Sequence, residues 1–563
     1  MSETGATARR ATRAAPGAGT TRRGPVVAAL MLSMALVSLD STVVATAVPQ
    51  IVGDLGGLSV FSWLFSGYLL AVTVTLPVYG KLSDTFGRKP VLVAGIVLFL
   101  AGSVLCASAW DMGSLIAFRV VQGLGGGALQ GTVQTIAADL YPLKERPRIQ
   151  ARLSSVWATS AVAGPAAGGL LAGYADWRWI FLVNLPLGGA ALWLIGRHLV
   201  EPRRSAPGDP VGDGERGRDG IRGGDGVRGG DGVPVGARAR RRVSVDWAGA
   251  LAVFGTGTLL LSGLVQGGVA WPWLSAPSLG LFGGAAALAA LTVVIERRAA
   301  EPIIPGWVWR RRTIAAVNLA LGALGLVMVA PTVFLPTYAQ AVLGLGPIAA
   351  GFVLSAMPLG WPVTAALANR LYTRIGFRQT ALLGMTLALL VLLAFPLLPF
   401  PGEPWQPALL MLLLGAALGF FQLPLVVGVQ STVPYEERGT TTASVLFVRQ
   451  IGQSVGAALF GAVANGVLAA RVGGGHENGH GDGSGSGGGD LDRLVHDLNT
   501  PGVLTEAAAD RLRHAVATAV DSVYLGAAVA AALAVVVLLT IAPRRFPVLK
   551  EEPEADEGEP VNP

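Results

Sequence analysis

The sequence predicts an all-α integral membrane protein of fourteen transmembrane helices, arranged as two six-helix halves with two further helices inserted between them. Three observations carry this. The 563 residues are 52% hydrophobic and only 14% charged, which excludes an ordinary set of soluble domains. Apolar runs of about 20 residues, the length needed to cross a bilayer, recur along nearly the whole chain. Paired sequence features return at a nearly constant offset.

Taken in order, the runs are 26–48, 62–80, 90–109, 114–138, 152–173, 177–197, 246–266, 277–296, 313–339, 347–368, 378–400, 406–429, 440–468 and 521–542. The net charge of +7 follows topology and not nucleic-acid binding. Alternate short loops hold Lys81, Arg88 and Lys89, then Lys144, Arg146 and Arg148. Further on they hold Arg297, Arg298, Arg310, Arg311 and Arg312, then Arg370, Arg374 and Arg378. The intervening short loops hold only Arg178. This positive-inside pattern places both termini in the cytoplasm of a multi-pass protein of the cell membrane. A single cysteine, Cys106, excludes an intrachain disulfide. The basic, polar start of the chain has no apolar segment of the signal-peptide kind before the first span.

Internal repetition fixes the organisation. Pro142-Leu143-Lys144-Glu145-Arg146 after helix 4 returns 292 residues later as Pro434-Tyr435-Glu436-Glu437-Arg438 after helix 12. The segment Gly80–Lys89 between helices 2 and 3 returns 289 residues later as the decayed copy Asn369–Arg378. Helices 1–6 therefore correspond to helices 9–14. The expected layout is a cytoplasmic tail 1–25, a first half 26–200, a flexible linker 201–244, inserted helices within 245–300, a second half 301–542 and a cytoplasmic tail 543–563. The second half includes an outer Gly-rich loop, 471–515. The Gly-Gly-Asp pairs of the linker are too few for a calcium-binding array, so a tether is the reading there. His476 and His480 in the outer loop lack enough nearby ligands to define a metal site, and no metal is expected.

Few polar residues fall inside the spans. Asp40 is the one carboxylate placed deep in a helix; Asp139, Asp246, Glu296 and Asp521 fall at or near ends. A lone acid in hydrocarbon costs several kcal/mol when charged, so it marks function, and Asp40 is the evident proton carrier. The competing reading is a structural acid permanently paired with an arginine. Arg119 in helix 4 is the candidate partner, since helical rise puts Asp40 about 21 Å from the inner start of helix 1 and Arg119 about 8 Å from the outer start of helix 4. Gly123, Gly127 and Gly131 give helix 4 a smooth face for close packing. They make no nucleotide loop, because neither a preceding strand nor a following Gly-Lys-Ser/Thr is present. No cofactor is expected, and an ion gradient is the expected energy source.

Gly80-Lys81-Leu82-Ser83-Asp84-Thr85-Phe86-Gly87-Arg88-Lys89 resembles, at nearly every position, the loop motif of the major facilitator superfamily. Gly164-Pro165-Ala166-Ala167-Gly168-Gly169 in helix 5 resembles the antiporter signature of its exporters, with Ser160 where the family has an earlier glycine. Trp177-Arg178-Trp179 through Asn184-Leu185-Pro186, together with the Asp40 segment, resembles the 14-helix drug:proton antiporters. The resemblance covers roughly 26–470 and 521–542 and implies the major facilitator fold. It implies a proton-coupled antiporter that exports amphipathic drugs or other small molecules by alternating access, with no enzymatic activity. Gly80, Asp84, Gly87 and Arg88 would hold the inner side closed, with Asp139 as the acid facing Arg88. Thr373 stands where the second copy would need an acid, which makes the lock asymmetric.

Cavity candidates are Gln122, Gln130 and Gln134 near one face of helix 4, with Trp63, Tyr68, Asn318, Tyr338 and Gln422 elsewhere. Arg449 in helix 13 is either a buried cation of that cavity or an arginine snorkelling to the inner interface. Expected partners are a small amphipathic substrate, protons and the lipid bilayer, with the protein a monomer that binds no nucleic acid. Two other readings remain open: a dedicated exporter of one endogenous metabolite, antibiotic or lipid, and a membrane sensor or scaffold that does not transport. Abundant alanine, glycine and arginine with little lysine is the usage of a GC-rich bacterial genome.

Overall fold

A computed structural model of the chain describes residues 23–56, 63–142, 145–174, 176–200, 247–267, 271–299, 302, 305–472 and 506–548. The linker 201–244, the outer-loop histidines and most of both tails lie outside these residues. Fourteen helices of 15 residues or more follow one another among the described residues. They are α1 (Arg23–Leu55), α2 (Trp63–Phe86), α3 (Arg88–Ala107), α4 (Met112–Leu140), α5 (Arg146–Tyr174), α6 (Asn184–His198) and α7 (Trp247–Gln266). Then come α8 (Ala276–Arg298), α9 (Arg312–Val329), α10 (Pro347–Ile375), α11 (Phe377–Ala394), α12 (Trp405–Gln430), α13 (Arg438–Val472) and α14 (Glu506–Thr540). Among the described residues no strand accompanies them beyond one isolated bridge between Gly267 and Trp271.

Among the described residues eleven spans are long and apolar enough to cross a membrane, or twelve when the two parts of α10, bent by 53°, are counted as one. Pro358 and Pro362 lie in that helix, and each removes a backbone donor from its ladder. The span begun by α9 continues through a π-helical turn, Ala330–Phe334, into Leu335–Ala341, with Pro331 at the start of the irregular turn. Helix α7 contains a shorter apolar stretch, Ala248–Leu264.

Buried apolar side chains form separate cores. Two of them draw on residues 26–199 and the largest on residues 308–546. The inserted pair stands apart: α7 reaches α2 through a small cluster of Ala250, Val253 and Val78, and a Thr256–Thr292 hydroxyl bond of 3.1 Å ties it to α8. Within the second core the rings of Phe395 and Tyr524 stack with centroids 3.6 Å apart.

The segment Gly80–Lys89 is not the short loop expected. Residues 80–86 continue α2, and Gly87 alone breaks the helix before α3 starts at Arg88. Gly87 adopts φ 100°, a conformation costly for any residue with a Cβ. Gly376, 289 residues on, does the same at φ 89° between α10 and α11. The repeat read from the sequence thus returns as one backbone device used twice. Helix α14 begins at Glu506, so the run 521–542 is the inner part of a longer helix and residues 506–515 of the expected outer loop are helical. Helices need not end where apolarity does, because exposed polar turns can continue beyond the bilayer.

Candidate functional site

The first half buries a polar centre in its interior. Asp40 on α1 and Arg119 on α4 form an ion pair, Arg119 Nη1 to Asp40 Oδ2 at 2.5 Å, with side-chain exposures of 0% and 1%. Arg119 Nη1 also donates to Gln122 Oε1 at 2.7 Å, and its Nε donates to the Leu64 carbonyl at 3.3 Å. Gln122 Nε2 in turn donates to Asp40 Oδ1 at 2.9 Å and to Ser103 Oγ at 2.9 Å. Asn184, the first residue of α6, donates to Asp40 Oδ1 at 3.4 Å and to Ser103 Oγ at 3.2 Å. The guanidinium lies 4.1 Å from the centre of the Tyr68 ring. Asp40 therefore accepts from Arg119, Gln122 and Asn184, which come from α4 and α6.

The antiporter-type segment supports this centre. Ser38 and Ser160 share a 2.8 Å hydroxyl bond between α1 and α5, and Thr42 Oγ1 donates to the Ser160 carbonyl at 3.1 Å. A Cβ at Gly164 would lie 2.6 Å from Thr42 Cβ, so the helices approach there only because the residue is glycine. Gly168 is also buried, whereas the side-chain surroundings of Pro165 and Gly169 lie outside the described set.

A second cluster joins the two halves where α2 meets α3, at the end of α4 and at the start of α13. Asp84 Oδ1 accepts from the Gly439 amide at 2.9 Å, and its Oδ2 accepts from the Thr440 amide at 2.6 Å and the Thr440 hydroxyl at 2.7 Å. Asp84 thus caps the N-terminus of α13 from across the interface, where free amides and the helix dipole favour an anion. Arg88 pairs with Asp84 at 2.8 Å and Asp139 at 3.1 Å, and it donates to the Tyr435 carbonyl at 2.5 Å. Asp139 also pairs with Arg438 at 3.1 Å. Gly80 permits the contact, since a Cβ there would lie 2.9 Å from the Gly439 carbonyl oxygen. Arg311 and Glu437 add an ion pair nearby. In the second copy, Thr373 is exposed and bonds only carbonyls of its own helix, Asn369 at 2.8 Å and Arg370 at 3.2 Å.

Between the halves lies a small cleft. Gln134, Gln150, Ser154, Gln422 and Thr442 supply its polar wall and Trp361 an aromatic one. Gln150 Nε2 donates to Gln134 Oε1 at 2.7 Å. Of the expected cavity residues, Gln134 and Gln422 line this cleft, and Arg449 Nη1 reaches Gln422 Oε1 at 3.4 Å. Gln122 and Tyr68 do not: both are packed around Arg119, inside the first half. Tyr338 packs on Phe395 and Asn318 is wholly buried near Ser444, both in the second core. Gln130 is buried and Trp63, at the start of α2, is half-buried; neither lines the cleft. A helical face predicts which side chains share a direction, and neighbouring helices decide what fills it. Sequence reasoning missed Ser103, which carries no signal of its own, and the contacts that Arg438 and Thr440 make with Asp139 and Asp84, although Arg438 closes the repeated segment.

A family model described as Major Facilitator Superfamily matches residues 30–457. Multidrug resistance protein 3 of Bacillus subtilis is 29% identical over 530 residues, covering 93% of this chain and 96% of that protein. Multidrug transporter protein MdtP of the same organism is 30% identical over 444 residues, covering 79% and 76%. The crystal structure of the human organic anion transporter MFSD10 shares the fold with a TM-score of 0.56 at 13% identity, covering 92% of this chain and all of that one.

Proposed function

The chain belongs to the Major Facilitator Superfamily and is a multi-pass membrane transporter, not an enzyme; from that premise we propose that it is a proton-coupled antiporter exporting amphipathic small molecules from the cell. On this reading all fourteen helices cross the cytoplasmic membrane, both termini face the cytoplasm, and two six-helix halves rock about the cleft. No cofactor takes part, and the protein works as a monomer.

The observation that carries the reading is the buried Asp40–Arg119 pair. Breaking one partner of a buried pair typically costs about 3–5 kcal/mol, because the other charge is left without compensation. Moving a two-state equilibrium from 1:99 to 99:1 takes about 5.5 kcal/mol. One proton on Asp40 therefore acts on the scale needed to change which packing of the first half is preferred. Neutral Asp40 would donate where it now accepts, and the Gln122 carboxamide, which offers both an oxygen and an NH2 group, can turn to receive it. The inner cluster around Asp84, Arg88 and Asp139 serves as the gate that opens in the other state. That relatives bear the names multidrug resistance protein and multidrug transporter supports export of drug-like compounds.

The test is compound-driven proton exchange in everted vesicles, followed with a pH-sensitive dye. Wild type should release protons on adding substrate, and Asp40→Asn should not. Full exchange in that variant would defeat the assignment, and silence across chemically unrelated compounds would favour an exporter dedicated to one metabolite.

A further inference from the structure

Arg449 is a cation in the middle of the second half without an acid to match it. It lies 11 residues into α13, about 16 Å from the inner gate at the usual helical rise. Among the described residues no carboxylate pairs with it: the second half holds its acids at Glu403, Glu436, Glu437, Glu506, Asp510 and Asp521, and none forms an ion pair with Arg449. Its one hydrogen bond is the 3.4 Å contact from Nη1 to Gln422 Oε1, and its Nε is buried without an acceptor. The position contrasts with Arg119, whose charge is met by Asp40 within the same half.

Its direction gives this meaning. Val445 and Leu446, one turn before Arg449 on the same face of α13, line the cleft between the halves, and so does Gln422. The guanidinium thus stands beside the cleft wall at Gln422, with its Nε still without an acceptor. An uncompensated charge in a low-dielectric site is costly, and a planar five-donor fork is suited to an oxyanion. The remaining wall is uncharged, with Gln134, Gln150 and Thr442 as hydrogen-bonding groups and Trp361 as a flat apolar surface.

We propose, resting on the export reading above, that Arg449 is an anion-binding residue of the substrate site, and that the transported molecules include amphipathic carboxylates or similar oxyanions. The acid group lies against Arg449 and Gln422, and the apolar body against Trp361. Burying a cationic ligand group at this end of the cleft would set two positive charges together, so a permanent cation binds less well there.

Binding in detergent tests this with three fluorescent probes of one length: dansylaminoundecanoic acid, its methyl ester, and the corresponding trimethylammonium compound. A charge-assisted hydrogen bond lost on esterification predicts that wild type binds the acid about 10-fold to 100-fold more tightly than the ester. Arg449→Gln should bind acid and ester alike while keeping wild-type affinity for the ester, and Arg449→Lys should retain part of the preference. Equal binding of acid and ester by wild type, or an undiminished preference in Arg449→Gln, overturns the proposal; the first needs no variant and so does not depend on any variant folding. Because no proton gradient is involved, failure here leaves antiport standing, whereas proton exchange retained by Asp40→Asn strikes antiport alone.

Discussion

Replacing Asp84 with asparagine should open the inner side of the protein. Asp84 receives two backbone amides and one hydroxyl from the start of α13 and lies 2.8 Å from Arg88. Asparagine keeps the shape but offers one acceptor oxygen in place of two and carries no charge. At least one of the Gly439 and Thr440 amides loses its partner, and Arg88 loses one of its two buried carboxylates, keeping Asp139. Hydrogen bonds to charged groups contribute about 1.5–3 kcal/mol each, and opening lets the freed groups find water, so a net shift of about 2–4 kcal/mol towards the open state is expected. That multiplies the ratio of open to closed protein by about 30-fold to 1,000-fold. Spin labels at the exposed residues Phe86 and Glu436, on opposite sides of the gate, would report it by pulsed electron–electron resonance after Cys106 is replaced. A longer distance component should appear in Asp84→Asn and grow at the expense of the short one. A distance distribution indistinguishable from wild type would refute the view that this carboxylate holds the halves together.

Three further outcomes follow from the same geometry. Gly439→Ala should also favour the inner-open state, because a Cβ there would sit 2.5 Å from Asp84 Oδ1 and 2.7 Å from the Gly80 carbonyl; the same spin-label pair reads it. Asp40→Asn and Arg119→Gln should each lower thermal stability in detergent by about 3–5 kcal/mol, and the double variant by clearly less than their sum, since it removes the uncompensated charge. Additive losses in that cycle would mean that the pair is not coupled. Tyr524→Ala should destabilise the second half by about 3–5 kcal/mol through loss of a wholly buried ring stacked on Phe395, with the drop read from the melting of purified protein.

Depth along a helix proved readable from the sequence, whereas the identity of lateral neighbours did not. Counting residues from the helix starts placed Asp40 and Arg119 at one level, and they meet at 2.5 Å. The place of Asp139 at the end of helix 4, within the gate that the family resemblance implies, made it the expected partner of Arg88, and the two pair at 3.1 Å. The repeat offset anticipated the matched glycines at 87 and 376. Gln122, a cavity candidate through its shared face with Gln130 and Gln134, and Tyr68 are turned instead to Arg119. Ser103 accepts from both Gln122 and Asn184, but a serine in an apolar run commonly bonds its own helix, as this one also does through the Phe99 carbonyl. Helix ends were misplaced where polar turns continue the helix, as in residues 80–86 and at the start of α14.

The glycines of α4 explain how a proton at Asp40 could move a gate some distance away. Arg119 and Asp139 lie on one helix, 20 residues and about 30 Å apart. Along that length α4 is pressed against α2: a Cβ at Gly123 would lie 2.6 Å from the Tyr68 carbonyl, and one at Gly127 would lie 2.8 Å from the Val72 carbonyl. Such close approach to backbone carbonyls leaves little room for the two helices to slide past one another, so a tilt of one carries the other. Helix α2 carries Tyr68 at the charged centre and Asp84 at the gate; α4 carries Arg119 and Asp139 at the same two levels. A change in the bonding of Arg119 therefore acts on both helices at once, and a small rotation at the centre becomes a larger displacement at the inner end. Because Thr373 gives the second copy no matching acid, on the antiport reading that displacement would meet one main lock, in which Asp84 and Asp139 would give way together.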